Sequence, residues 1–208
     1  MTEAGDLIGR ALLPLRDQDM NFFTPDMMMQ ALNEAQNDLA ARELLFIESA
    51  TGTITSGDFT ITDQRYLRLR EVEGVVWIDE TVWNQYASND YTDEERPYAR
   101  VLGKTVSILP VPADTTTYPY TYYRVPAPIS TTGAEIEFDF IHETRLINYL
   151  RYSACTMGGD PEAAGNYYAL YAEGLHSPDR AFRQPRQGPW TMPRSLNRFD
   201  ADPDAIHM

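Results

Sequence analysis

The chain is short of the residues that cross-link a protein or anchor it in a membrane. Its 208 residues include one cysteine, Cys155, which excludes an internal disulfide and a thiolate metal cluster. No apolar run approaches the roughly 18 residues that a membrane-spanning helix needs. The acidic stretch around Glu3 and Asp6 lacks the basic start of a signal peptide. We therefore expect synthesis in the cytoplasm and no association with a membrane.

Positive charge is also scarce. Seventeen basic residues against 31 acidic residues give a net charge of −14 at pH 7, and Lys104 is the one lysine beside sixteen arginines. Because proteins that bind nucleic acid without sequence preference are normally basic, this balance argues against a DNA or RNA clamp. Arginine favours planar, bidentate contacts with carboxylates, so its predominance indicates protein partners.

Sequence motifs of catalysis are missing as well. The chain has no P-loop, no GxGxxG, no GxSxG and no paired-aspartate metal motif. His142 and Glu143, with Asp139 nearby, form the cluster most like a site, but no HExxH or HxxE pattern completes it. We interpret this cluster as a helix-start cap or an interfacial hydrogen bond, and Cys155 as a buried packing residue. The sequence therefore predicts no enzymatic activity, no cofactor and no metal.

Apolar spacing predicts four helices. The first is short, with an apolar stripe at three- and four-residue steps. The second starts strongly, because Thr24 supplies an N-cap hydroxyl and Pro25 suits the first helical position. Gly158 and Gly159 separate the last two helices. The predicted ranges are about 5–16, 25–47, 142–158 and 161–175.

The middle of the chain, about residues 55–140, is predicted to be a β-rich insert. Residues 49–63 are rich in Thr, Gly and Ser and favour a loop. Alternating apolar residues predict strands, and Gly103-Lys104 predicts a hairpin turn. The predicted strands contain Leu67 and Leu69, Val75 to Ile78, Thr81 to Trp83, Ala99 to Leu109, Tyr118 to Tyr122, and Ile136 to Phe140.

These elements predict an α+β fold in which a four-helix bundle carries the β-rich insert between helices 2 and 3. We expect one domain over residues 1–176, followed by an extended C-terminal arm over residues 177–208. The arm has five prolines after His176 and no helical or strand period. Residues 177–198 carry five arginines and one aspartate, a net charge of +4, so the remainder of the chain carries −18.

An extended, proline-rich segment with spaced aromatic and arginine anchors suits docking on another protein surface. A disordered tail without a function is the alternative interpretation. The predicted docking residues are Arg180, Phe182, Arg183, Arg186, Trp190, Arg194, Leu196 and Phe199.

The order of short motifs along the chain resembles a known family. These motifs are Leu7 to Leu12, Thr24 to Asp26 with Ala31 to Ala35, Pro110-Val111-Pro112, Tyr122 to Pro126, and two helices rich in Tyr and Ala. The pattern is similar to that of the head-to-tail adaptor (connector) proteins of tailed bacteriophages. The resemblance implies a homo-oligomeric ring, twelve-fold in the family, in the virion neck between the portal and the tail. It also implies that DNA passes through the lumen without specific binding and that no catalytic residues are present.

Within this interpretation, the portal protein and the tail nozzle or tail fibre proteins are the expected partners. The β insert is expected to face the tail through Trp77, Trp83, Tyr91 and Tyr98. Two alternatives remain open from the sequence: an acidic non-viral binding domain or unrecognised small hydrolase, and a tail-tube or head-completion component of another type.

Overall fold

The computed structural model describes residues 2–17, 20–88, 97–173 and 175. Within these ranges the chain forms five α-helices and seven strands in two sheets. The helices are α1 (Ala4–Leu12, followed by a 3-10 turn, Leu13–Leu15), α2 (Pro25–Glu43), α3 (Glu80–Ser88), α4 (Phe140–Met157) and α5 (Pro161–Ala172). The strands are β1 (Phe46–Ile54), β2 (Asp58–Thr60), β3 (Tyr66–Val72), β4 (Val76–Trp77), β5 (Tyr98–Leu102), β6 (Thr105–Leu109) and β7 (Thr116–Arg124).

Three helices, α1, α2 and α4, share one hydrophobic core. The segment between β7 and α4 adds apolar side chains to this core and is tied to α2, because the Asn33 amide exchanges hydrogen bonds with the Ile129 backbone at 2.9 and 2.7 Å. Fully buried side chains of this core include Leu7, Leu12, Leu32, Leu39, Leu146, Leu150 and Ile136. The apolar stripes that predict α1, α2 and α4 are therefore the faces that these helices bury.

Helix α2 begins as its sequence predicts and ends earlier than predicted. The Thr24 hydroxyl accepts a hydrogen bond from the Met27 N–H at 3.4 Å, and Pro25 is the first helical residue. The helix stops at Glu43 because Leu44 takes a left-handed conformation with φ of 51°. Phe46, which the sequence places within the predicted helix 25–47, is consequently the first residue of β1.

The predicted four-helix bundle is wrong. Helix α5 packs chiefly against α4, and its buried residues Ala164 and Tyr171 lie outside the core shared by α1, α2 and α4. The other side of α5 faces solvent in the described part of the chain. A fifth helix, α3, belongs to the β-rich region, so the fold is a sheet-rich α+β arrangement with a separate core for each part.

The two sheets enclose the second core. One sheet has the order β1-β7-β3 and is antiparallel, and the other has the order β2-β6-β5-β4, in which β4 and β5 run parallel. Phe59 of the second sheet lies 5.2 Å from Tyr120 of the first, measured between ring centroids. The predicted hairpin is confirmed: β5 and β6 meet at Gly103, whose φ of 62° suits the turn.

Three predictions for the β-rich region are wrong, one of a loop and two of strands. The 49–63 segment is not a loop, because most of it lies in β1 and β2, where threonine suits an extended backbone. Thr81 to Trp83 begin helix α3, and the Asp79 carboxylate accepts a hydrogen bond from the Val82 N–H at 2.9 Å. The predicted strand over 136–140 is an irregular segment that buries Ile136 and Phe138. Glu135, just before it, forms an isolated antiparallel bridge with Glu3, and Phe140 starts α4.

Candidate interaction surface

The cluster around His142 is a structural joint. Glu143 is 9% exposed, and its carboxylate accepts hydrogen bonds from the Thr2 hydroxyl and, at 2.7 Å, from Arg10 Nη1. The bonds from Thr2 and Arg10 hold the pKa of Glu143 below its ordinary value. Burial, with a smaller contribution from the Arg145 charge, lowers the pKa of His142. Glu143 therefore fastens the N-terminal segment and α1 to α4, as the interfacial interpretation predicts.

Cys155 lies on the buried side of α4, and burial raises the pKa of its thiol. This placement agrees with the predicted packing role. Among the described residues, no group of three or more His, Cys, Asp and Glu side chains is arranged to hold a metal ion. In the same part of the chain, no helix has the length and apolar character needed to cross a bilayer.

The structure places three of the predicted tail-facing aromatics around β4 and β5, but not on one surface. Tyr98 pairs with Val76 in the parallel ladder and stacks on Tyr86 at 4.7 Å. Trp77 pairs with Ala99 and packs against the second core, on the opposite face of the sheet. Trp83 is 6% exposed, and the Arg100 guanidinium lies 4.7 Å from the centroid of its ring. Trp83 therefore attaches α3 to β5 rather than offering an exposed anchor.

Several predicted residues fall outside the described ranges. Tyr91 is one of them. The others are the arm residues Arg180, Phe182, Arg183, Arg186, Trp190, Arg194, Leu196 and Phe199.

The outer side of α5 is a surface that the sequence reasoning did not single out. On the inner side, the Tyr171 hydroxyl donates to Asp38 of α2 at 2.5 Å, and its ring packs against Tyr149 at 5.0 Å. The centre of the outer side carries Glu162, Asn166, Ala169 and Glu173, and its two edges carry the exposed apolar side chains of Tyr168 and Leu170. We call this outer side the α5 face.

Two shallow grooves accompany the α5 face. The first, of about 570 Å³, lies between α5 and the end of α4, and its lining includes Tyr152, Thr156 and Tyr168. The second, of about 630 Å³, lies near the C-terminal end of α5 and includes Leu170 and Glu173. Helix α5 contains no lysine or arginine, so acidic residues supply the formal charge at both ends of the face.

A second apolar patch lies at the start of α4. Phe140 is 80% exposed, and Ile141 beside it is also largely exposed. The 18 residues of α4 separate this patch from the groove at Thr156. The chain thus presents two unlike apolar patches at opposite ends of one helix, which is the requirement for a head-to-tail contact between identical subunits.

The structure is an α+β fold whose exposed apolar patches are of the kind that bind other proteins. The sequence matches the model of the family described as SU10 adaptor protein over residues 2–193, and the chain belongs to this family of phage head-to-tail adaptors. The match extends well beyond the end of α5. None of the curated proteins compared with the chain matches it.

Proposed function

We propose that the chain is a ring-forming subunit of the virion neck that joins the portal to the tail and surrounds the DNA exit channel. The family match over residues 2–193 carries this proposal. It covers both hydrophobic cores and most of the arm, so the whole described fold falls within the adaptor family. The chain acts as a structural component and carries out no reaction.

The geometry supports a closed ring. Such a ring needs two different contact surfaces on every subunit, and the α5 face and the Phe140–Ile141 patch are unlike in shape and sequence. We propose that these two surfaces take part in contacts between adjacent subunits. Following the family resemblance, the ring contains twelve copies.

The charge distribution supports a channel through which DNA passes without binding to the protein. With −14 overall and −18 outside residues 177–198, the body repels the phosphate backbone. The arm over residues 177–208 carries the opposite charge in its first part, and we propose that it docks on the portal or on the adjoining subunit. The β insert faces the tail nozzle or tail fibre proteins.

The direct test is assembly on the purified portal. The full chain and a chain truncated after His176 are each mixed with portal rings and examined by electron microscopy and by size-exclusion mass measurement. We expect the full chain to add a closed ring on one end of the portal and the truncated chain to bind less completely. A full chain that neither binds the portal nor forms rings on it would overturn the proposed function.

A matched pair of variants tests the patch at the start of α4. Phe140→Asp places a charge on the exposed patch, whereas Leu102→Asp places the same charge on an exposed apolar residue of the β5–β6 hairpin. We expect Phe140→Asp to weaken each contact between adjacent subunits at least about tenfold, which corresponds to about 1.4 kcal/mol per contact. Equal loss in both variants would refute a specific role for Phe140.

A further inference from the structure

Helix α5 exposes a side that is acidic and polar along its centre and apolar at its edges. Glu162, Asn166 and Glu173 lie along this side at helical spacing, and Tyr168 and Leu170 flank it. No lysine or arginine within Pro161–Ala172 balances these carboxylates. In the described part of the chain, α4 and the contact from Tyr171 to Asp38 cover one side, and the α5 face stays open.

We propose that residues 177–199 of an adjacent copy of the chain lie along the α5 face. The proposal rests on the proposed ring and goes beyond it by naming the surface that receives the arm. The arm supplies large apolar side chains, among them Phe182 and Trp190, which fit two shallow apolar grooves. Its prolines lower the entropy lost when an extended segment is immobilised on a surface.

Charge complementarity favours the arm as the occupant. The α5 face is bordered by the carboxylates of Asp160, Glu162 and Glu173, while residues 177–198 carry a net charge of +4. Within the described ranges, several body arginines already pair with acids of their own chain. These pairs include Arg10 with Glu143, Arg42 with Asp38, Arg124 with Glu48 and Glu137, and Arg145 with Glu43. The arm therefore supplies cations for contacts that the body is poorly equipped to make.

Charge repulsion between subunits favours an adjacent copy over the chain's own helix. Each body carries −18 outside residues 177–198, so adjacent bodies in a ring repel, and a cationic segment between them offsets this repulsion.

Disulfide trapping in the full-length chain tests the proposal. In a Cys155→Ser background, one cysteine replaces Leu170 on the α5 face and a second replaces Thr191 next to Trp190 in the arm. Rings assembled on the portal are oxidised and separated on a denaturing gel. We expect a ladder of cross-linked multimers. The control pair is Leu102→Cys with Thr191→Cys, because Leu102 and Leu170 are equally exposed. We expect this pair to be at least about fivefold less cross-linked.

Each outcome decides the proposal. A band of monomer mass with an internal cross-link would show that the arm lies on its own α5, and it would overturn the assignment to an adjacent copy. Intact rings without cross-links would overturn the inference and leave the proposed function standing, with the portal as the site of the arm. Complete failure to form rings with the cysteine-free chain would overturn both.

A second measurement does not depend on the folding of the cysteine variants. Hydrogen exchange of residues 161–172 is compared between rings of the unmodified full chain and rings of the chain truncated after His176. We expect amides in this segment to exchange at least about tenfold more slowly when the arm is present. Equal exchange in both rings would overturn the inference.

Discussion

Replacing Glu143 with glutamine should lower the stability of the helical core at neutral pH. The carboxylate receives hydrogen bonds from the Thr2 hydroxyl and from Arg10, and it is largely buried. In the glutamine variant one of the two oxygens becomes an NH2 group, which can donate to the Thr2 hydroxyl while the remaining oxygen accepts from Arg10, so the variant loses the negative charge that strengthens both hydrogen bonds. Hydrogen bonds to charged groups contribute about 1.5–3 kcal/mol, and because the half-exposed Arg10 can return to water we expect a loss of about 1–2 kcal/mol. Chemical unfolding with urea measures this difference.

The same substitution should have little effect in acid. The hydrogen bonds hold the pKa of Glu143 below its ordinary value, so the carboxylate contributes stability that is complete above the unfolded pKa of about 4.3. This contribution is lost as the pH falls through the lower folded pKa. Glutamine does not titrate, so the difference between the two proteins should be largest at pH 7 and should shrink by pH 3.5.

Asp6→Asn is the matched control, because Asp6 pairs with the same Arg10 at 3.8 Å but is largely exposed. Exposed ion pairs contribute little, and we expect this variant to lose at most about 0.5 kcal/mol. An equal loss in both variants, or a Glu143→Gln deficit that persists unchanged at pH 3.5, would refute the assignment of Glu143 as the joint between α1 and α4.

Three further substitutions test the packing. Gly52→Ala should cost about 1–3 kcal/mol in urea unfolding, because its Cβ would lie 2.3 Å from the Phe59 ring. Gly9→Ala, where a Cβ meets nothing within 4 Å in helix α1, should instead stabilise the chain by up to about 1 kcal/mol, and a reversal of the two signs would contradict the structure. Tyr171→Phe removes the hydrogen bond to Asp38 and should cost about 1–2 kcal/mol without changing the helix content measured by circular dichroism.

Helix starts were predictable because their signals are local. Thr24 caps α2 by accepting a hydrogen bond from the N–H of Met27, three residues later. Asp160 caps α5 in the same way, by accepting a hydrogen bond from the Ala163 N–H at 3.0 Å. Such bonds need only a few consecutive residues, so the sequence contains all the information. The hairpin at Gly103 is local in the same sense.

Strand assignments failed where pairing depends on distant residues. Strand β1 pairs with β7 across about seventy residues, and its Thr, Ser and Gly content resembles a loop when the partner is unknown. Conversely, Ile136 and Phe138 alternate with acids as in a half-buried strand, yet they bury themselves in the helical core without a neighbouring strand. Alternation reports which side chains turn inward, and hydrogen-bond partners decide whether the segment joins a sheet.

Helix α5 shows why the candidate site was the hardest part to predict. Its periodicity predicts a helix, but apolar residues lie on several sides, so the pattern does not say which side meets α4. The contact between Tyr171 and Asp38 decides the orientation, and these residues are 133 positions apart. Once that side is fixed, the α5 face is left open in the described fold, while the residues after His176 combine aromatic anchors with the opposite charge. A surface that lacks cations and a segment rich in them are complementary in charge, and this complementarity is the physical basis of the proposed contact between the arm of one subunit and α5 of the next.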